Sequence, residues 1–565
     1  MRRPHRSTRY VLAVALVGIA GAAVLPAAAS PPTSFSATQE AQNYSKVLER
    51  QAIYLTPEYQ LLLRTENQKN GTAALAAQAA DPQRDFVSDL CWSLNDGCAG
   101  DVRLDAWATG GFGHVVPVLF TARDGATLSG HVWWTQAGPA KRPGVVITDG
   151  SVQADENLYW YAAQVLAKAG YVVMTWDPQG QGQSDTLGEG ADQQEGVPAQ
   201  SDGRPFFDGT EDALNFFFST QAKPYVPVPS CNSGTSHAAK QAARVAGGKD
   251  AGFNPAWSLL DVSRVGIAGH SYGASGVSYI GQQDPRVKAI VAWDNLAPPS
   301  AAGNGRSSEK DCVDANARKP AAIAKPALGM SADYYLPPEP NTSLPDPKGK
   351  STTSFLYTKA GVDTGEIIVR GGSHFDFSFI PNPGFGASLR GADEIAWYTT
   401  AWFDRYVKGD PTADARILTD RWRHDGVEGA VDPNGDPNDF SFYYLSRLAL
   451  HTAAGISVDC EDLRDGCPAL SGDDGWKGDF SYLALDTSPD SASAAPAFAP
   501  SAGHVVTTPV HALAKPAKPA KKRARSSSVR PPRGALAATG PPAPLAAGAL
   551  ALLLAALLLR RRRTA

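Results

Sequence analysis

No aspartate or glutamate stands before residue 31 or after Asp490. Cysteine is scarce, six in 565 residues, and none occurs as C-x-x-C or beside a paired histidine, which argues against a zinc site. No interior stretch offers about 18 uninterrupted apolar residues, so no spanning helix is expected inside the chain. Motifs for nicotinamide, flavin or phosphate are missing too, so no cofactor and no metal is expected. Sixteen of the 52 Lys and Arg lie at the acid-free ends. Residues 31–510 therefore carry 36 cations against 56 anions, a net of −20. An acidic body of that size argues against nucleic acid as a partner.

The acid-free ends are targeting segments rather than fold. Arg2, Arg3, Arg6 and Arg9 precede an apolar run from Tyr10 to Leu25 and then Ala27-Ala28-Ala29, the pattern of a signal peptide over residues 1–29. Arg2-Arg3 suggests a twin-arginine signal, but the Pro-His-Arg that follows argues against it. Residues 491–535 are rich in Pro, Ala and Lys and read as an extended spacer suited to an anionic wall, or simply a solvated tether. Leu536-Ala-Ala-Thr-Gly540 is followed by prolines, an apolar run from Leu545 to Leu559, and Arg560 to Arg563. Fifteen apolar residues are short for a span of about 20. Residues 536–565 resemble a sortase sorting signal in the L-A-x-T-G form of high-GC Gram-positive bacteria. The resemblance implies cleavage between Thr539 and Gly540, a sortase and a cell-wall precursor as partners, and a secreted protein attached at the cell surface. A retained C-terminal membrane anchor is the alternative.

An even cysteine count behind a signal peptide favours disulfides. Cys91 to Cys98 and Cys460 to Cys467 share the pattern C-x-x-L-x-D-G-C, so each pair is expected to close a small loop around its Asp-Gly turn. Cys231 and Cys312 remain as partners by elimination.

Between the ends, residues 36–90 form a helical, peripheral extension. Val115 to Thr121 and Ala126 to Thr135 read as a hairpin around Asp124-Gly125. Buried-type strands follow at Pro143 to Thr148, Tyr171 to Trp176, Val265 to Ala268, Ala289 to Trp293, Ala327 to Ser331 and Glu366 to Arg370. Helices are expected at Asn157 to Gly170, Gly209 to Thr220 and Asp393 to Val407. Strands alternating with helices imply an α/β fold, a mostly parallel central sheet flanked by helices, with insertions. The elbow strand runs into Gly269-His270-Ser271-Tyr272-Gly273. This is G-x-S-x-G in the context it needs, strand then sharp turn then helix. Glycines at Gly269 and Gly273 permit the tight turn, and the hydroxyl of Ser271 then stands clear of the sheet as a nucleophile.

Element order and motifs resemble the α/β-hydrolase fold across residues 91–480, and within it the secreted esterases of the dienelactone-hydrolase and cutinase kind. Tyr159 to Val173 fits that group's helix-to-strand passage. Asp177-Pro-Gln-Gly-Gln-Gly-Gln-Ser184 replaces its D-x-R-G-x-G-x-S loop, with Gln179 where arginine is usual. The order expected is serine, acid, histidine. His374, in Gly-Gly-Ser-His after a strand, is the base that the resemblance implies. Asp333, closing Pro326 to Asp333, is the expected acid. Asp294 is its rival, because some relatives carry the acid one strand earlier. The backbone N–H of Tyr272 and one from Thr148 to Val152, at Ser151, are the expected oxyanion donors. Asp149 stands where the family has histidine, and its side chain is expected to point away from the anion.

Phe375, Phe377, Phe379, Tyr334 and Trp293 either line an acyl pocket or belong to the core. Asp432 to Asp439 alternates oxygen-bearing residues as calcium loops do, and Asx-Pro turns give the same letters. The function expected is a monomeric serine hydrolase that cleaves a carboxylic ester through an acyl-enzyme. Acyl transfer to an envelope lipid or glycan, and a non-catalytic surface-binding protein on a hydrolase scaffold, are the alternatives.

Overall fold

The computed structural model describes residues 57–85, 113–151, 155–193, 204–230, 232–299, 321–334, 343–378, 389–419 and 439–467, with a few isolated positions besides. The leader, Cys91, Cys98, Cys231, Cys312, most of the 432–439 loop, the spacer, Thr539 and Gly540 lie outside the described residues. Among the described residues no helix is long and apolar enough to cross a membrane.

In chain order the elements are α1 (Pro57–Ala80), β1 (Gly113–Thr121), β2 (Thr127–Thr135), β3 (Arg142–Thr148), α2 (Trp160–Lys168) and β4 (Val172–Trp176). Then come α3 (Arg204–Phe217), α4 (Ala238–Ala246), β5 (Leu260–His270), α5 (Tyr272–Gln283), β6 (Val287–Trp293) and β7 (Ala327–Tyr334). The last are α6 (Thr352–Lys359), β8 (Thr364–Ser373), α7 (Leu389–Phe403), α8 (Ala413–Ile417), β9 (Arg447–His451) and β10 (Ser457–Cys460).

The ten strands form one mixed sheet in the order β1-β2-β4-β3-β5-β6-β7-β8-β9-β10. Its centre, β4-β3-β5-β6-β7-β8, is parallel throughout. The β1–β2 and β9–β10 hairpins join at either side by antiparallel pairing. Continuous apolar runs build the centre because both faces are covered. The pleat divides them: Val145, Ile147, Val173 and Val291 pack under α2 and α7. Val146, Met174, Ile290 and Ala292 pack under α3 and α5.

Helix α3 starts five residues before the expected Gly209. That glycine is no breaker here, since a Cβ on it would meet the Trp176 ring at 2.6 Å, so it lets helix and strand approach closely. The β9–β10 hairpin, α4 and α6 were not anticipated. The parallel strands all end at one rim of the sheet. There β3 runs into Asp149-Gly150-Ser151, β4 into Asp177, β5 into Ser271, β6 into Asp294 and β8 into His374. Open parallel sheets bind their ligands beyond such a carboxyl rim.

Candidate active site

Ser271 sits between β5 and α5 with φ 56° and ψ −115°. A side chain in that region costs on the order of 1–3 kcal/mol and persists only where the surroundings impose it. They do so from several sides. Its N–H donates to the Trp293 carbonyl at 2.9 Å. A Cβ on Gly269 would meet the Gly273 carbonyl, and one on Gly273 would collide with the carbonyl of Asp149. Both flanking positions must therefore be glycine, and the Asp149 loop is pressed against the start of α5. Among the described residues, the one other non-glycine residue with positive φ is Asp294, at 38°. The two strained positions thus belong to neighbouring strand ends, β5 and β6.

Asp294 follows β6 directly, and its N–H donates to Met330 at 2.7 Å. Its Oδ2 lies 2.6 Å from Nδ1 of His374, and both residues are buried. A carboxylate there requires the proton on Nδ1, which leaves Nε2 as the basic nitrogen. The expectation for the acid is therefore corrected: Asp294, not Asp333, partners His374. Asp333 is fully buried but accepts from the Gly371 N–H at 2.7 Å and from the Ser441 hydroxyl. The pleat explains this. Met330 and Ala332 face the core under α7, so Asp333 faces the opposite way, toward the segment that carries Ser441. Burial pushes its carboxyl above the usual range, against those two donors. It fixes the end of β8 from behind.

His270, which the sequence reading passed over, ties these parts together. Its ring lies 4.5 Å from that of His374, centroid to centroid. Nε2 is 3.0 Å from the His374 carbonyl, and Nδ1 is 2.7 Å from the Tyr159 hydroxyl. That hydroxyl in turn accepts from the Gly150 N–H at 2.9 Å. One assignment satisfies all three bonds: Gly150 donates to Tyr159, Tyr159 donates to Nδ1, and Nε2–H donates to His374. Burial, then the neighbouring His374, holds the His270 pKa well below the ordinary value, in keeping with the neutral tautomer that this chain requires.

Across the same loop, the Gln181 side-chain Nε2 donates to the Gly150 carbonyl at 2.7 Å. Asp149 is fully buried. Burial first, then Asp177 and Glu156, pushes its carboxyl well above the usual range. Glu156 is held by Nδ1 of His131 at 2.6 Å and by the Thr175 hydroxyl at 2.5 Å. Gln179, in the position where the resemblance expects arginine, accepts from Arg204 at 2.6 Å, so a guanidinium reaches this loop from α3 instead.

Tyr272 opens α5 and stacks on Phe206 at 5.0 Å. Trp293, Tyr334 and Phe377 are buried in the core. Phe375 is half-buried beside His374 with ring centroids 5.7 Å apart, and Phe379 lies outside the described residues. Cys460 and Cys467 are free thiols in this structure. Burial, then the Cys467 thiol beside it, pushes the Cys460 thiol up. Among the described residues no group of three His, Cys, Asp or Glu side chains is arranged to hold a metal ion.

A scan against protein-family models finds no match, and a search of curated proteins finds no significantly similar chain.

Proposed function

We propose that this chain is a serine hydrolase of the α/β-hydrolase fold that cleaves a carboxylic ester through a covalent acyl-enzyme. The observation that carries the reading is the strained Ser271 at a strand-to-helix turn, on the same rim as a buried His374–Asp294 pair 2.6 Å apart. Backbone strain at such a position persists where function requires it.

The chemistry follows from the residues. Nε2 of His374 takes the proton as the Ser271 hydroxyl attacks the ester carbonyl. Asp294 holds the imidazole in the required tautomer and stabilises the imidazolium. The tetrahedral oxyanion accepts from the backbone N–H groups of Tyr272 and Ser151. Collapse expels the alcohol, which receives the proton from His374. Water then attacks the acyl-enzyme by the same steps in reverse. We further propose that the protein is exported and held at the cell surface by its C-terminal segment, a reading carried by the sequence of the two ends.

Replacing Ser271 by Ala tests the proposal. Hydrolysis of p-nitrophenyl butyrate should fall by several powers of ten, as when a nucleophile is removed from a triad. Full activity in the alanine variant would overturn it.

A further inference from the structure

Gln181 lies outside the serine, acid and base, yet its one side-chain hydrogen bond goes to the loop that faces Ser271. Its Oε1 is buried with no partner, and its Nε2 donates to the Gly150 carbonyl at 2.7 Å. Turning the amide over would set Oε1 against that carbonyl, oxygen to oxygen, so the orientation is fixed by the contact itself. The Gly150–Ser151 peptide is trans, so its C=O and N–H point in opposite directions.

The strand order supplies those directions. β3 lies between β4 and β5. The loop carrying Gln181 follows β4, and Ser271 follows β5. A carbonyl drawn toward the β4 side sends the Ser151 N–H toward the β5 side, where Ser271 stands. The distance is short: a Cβ on Gly150 would lie 3.2 Å from Cβ of Ser271. The preceding peptide is pinned as well. Its Gly150 N–H is bound by Tyr159, and the Asp149 carbonyl is packed on Gly273.

We infer that Gln181 is a positioning residue that aims the Ser151 N–H at the oxyanion by holding the other end of the same peptide. This rests on the hydrolase reading above. Without the Gln181 donor the Gly150 carbonyl has no partner on the β4 side, the peptide is free to rotate, and one of two oxyanion donors is lost for part of the time. Ground-state binding of the ester is untouched, because the oxyanion forms only in the transition state.

The test uses Gln181→Met, which keeps length and bulk and removes the donor, and Gln181→Leu as a second variant. Each is measured for kcat and KM with p-nitrophenyl butyrate, for inhibition by an aliphatic trifluoromethyl ketone, and for thermal unfolding. In the ketone adduct Ser271 Oγ bonds the carbonyl carbon, its proton passes to His374, and the carbonyl oxygen becomes the anion. The expected result is a kcat lower by about 10- to 100-fold, below the full loss of an oxyanion donor. KM should stay within about threefold, and the ketone inhibition constant should rise by the same factor by which kcat falls. A folded variant with kcat within about twofold of the parent overturns the inference. So does a fall in kcat with the ketone affinity unchanged, or a lower melting temperature with kcat per folded molecule intact. A parent protein that neither hydrolyses the ester nor binds the ketone would instead defeat the hydrolase reading.

Discussion

Exchanging the two buried aspartates for asparagine, one at a time, separates the acid that serves His374 from the one that serves the fold. In Asp294→Asn the neutral amide faces Nδ1 across the present 2.6 Å contact. It no longer stabilises the imidazolium. Two unit charges about 4 Å apart at an effective dielectric near 20 attract by about 4 kcal/mol. That is worth about three powers of ten in rate. Where the amide donates rather than accepts, Nδ1 loses its proton, Nε2 carries it, and the base is blocked, so the total loss expected in kcat is about 10³- to 10⁴-fold. The melting temperature should change little, because the amide fills the same space. Asp333→Asn should do the reverse. Its carboxyl accepts from Gly371 and Ser441, and disturbing one such buried bond costs about 1–3 kcal/mol of stability. Its melting temperature should fall by a few degrees, while kcat stays within about threefold. Both are read by ester hydrolysis at saturating substrate and by thermal unfolding. A thousandfold loss in Asp333→Asn, with Asp294→Asn keeping more than a tenth of parental kcat, would return the acid to β7 and refute the reasoning.

Two further outcomes concern stability and redox state. Burial raises the Asp208 pKa to about 7, against the pull of Arg123 and Arg204, so the fold binds its proton more tightly than the unfolded chain does. Its contribution to stability is therefore complete below pH about 3.9 and is lost as the pH rises through about 7. Asp208→Asn cannot ionise, so urea unfolding should show it gaining on the parent across that window, by at most about 4 kcal/mol. A difference that stays flat with pH would contradict this. In oxidising medium Cys460 and Cys467 should join, since they are neighbours around a tight turn. Alkylation before reduction should then leave both unmodified in a peptide map, and complete alkylation of the pair would refute the bridge.

Much of the scaffold was legible because a strand buried on both faces must be apolar without interruption. Val145 to Ile147, Val172 to Met174 and Ala289 to Trp293 announce themselves in that way. The elbow was legible because its geometry admits only glycine at Gly269 and Gly273. His374 was legible as the downstream histidine that directly follows a strand. The acid was not, because Asp294 and Asp333 both close apolar runs in the right order. What separates them is the strand pleat and the reach of a β6 side chain past β7 to His374, neither of which is written in linear spacing. His270 and Gln181 were missed for a related reason. Each stands at an x of its motif, and its role arises only when β3, β4 and β5 lie side by side. The β9–β10 hairpin is short and lies at the edge of the sheet, where the demand for continuous apolar residues is relaxed.

The central claim, that Ser271 is an activated nucleophile, is tested most directly by covalent labelling. The native protein is treated with a fluorophosphonate, weighed intact and mapped by peptide mass spectrometry, with the Ser271→Ala variant in parallel. The account predicts one label per chain, on Ser271, and none on the variant. A folded protein that takes no label, or one labelled equally in the absence of Ser271, would contradict it.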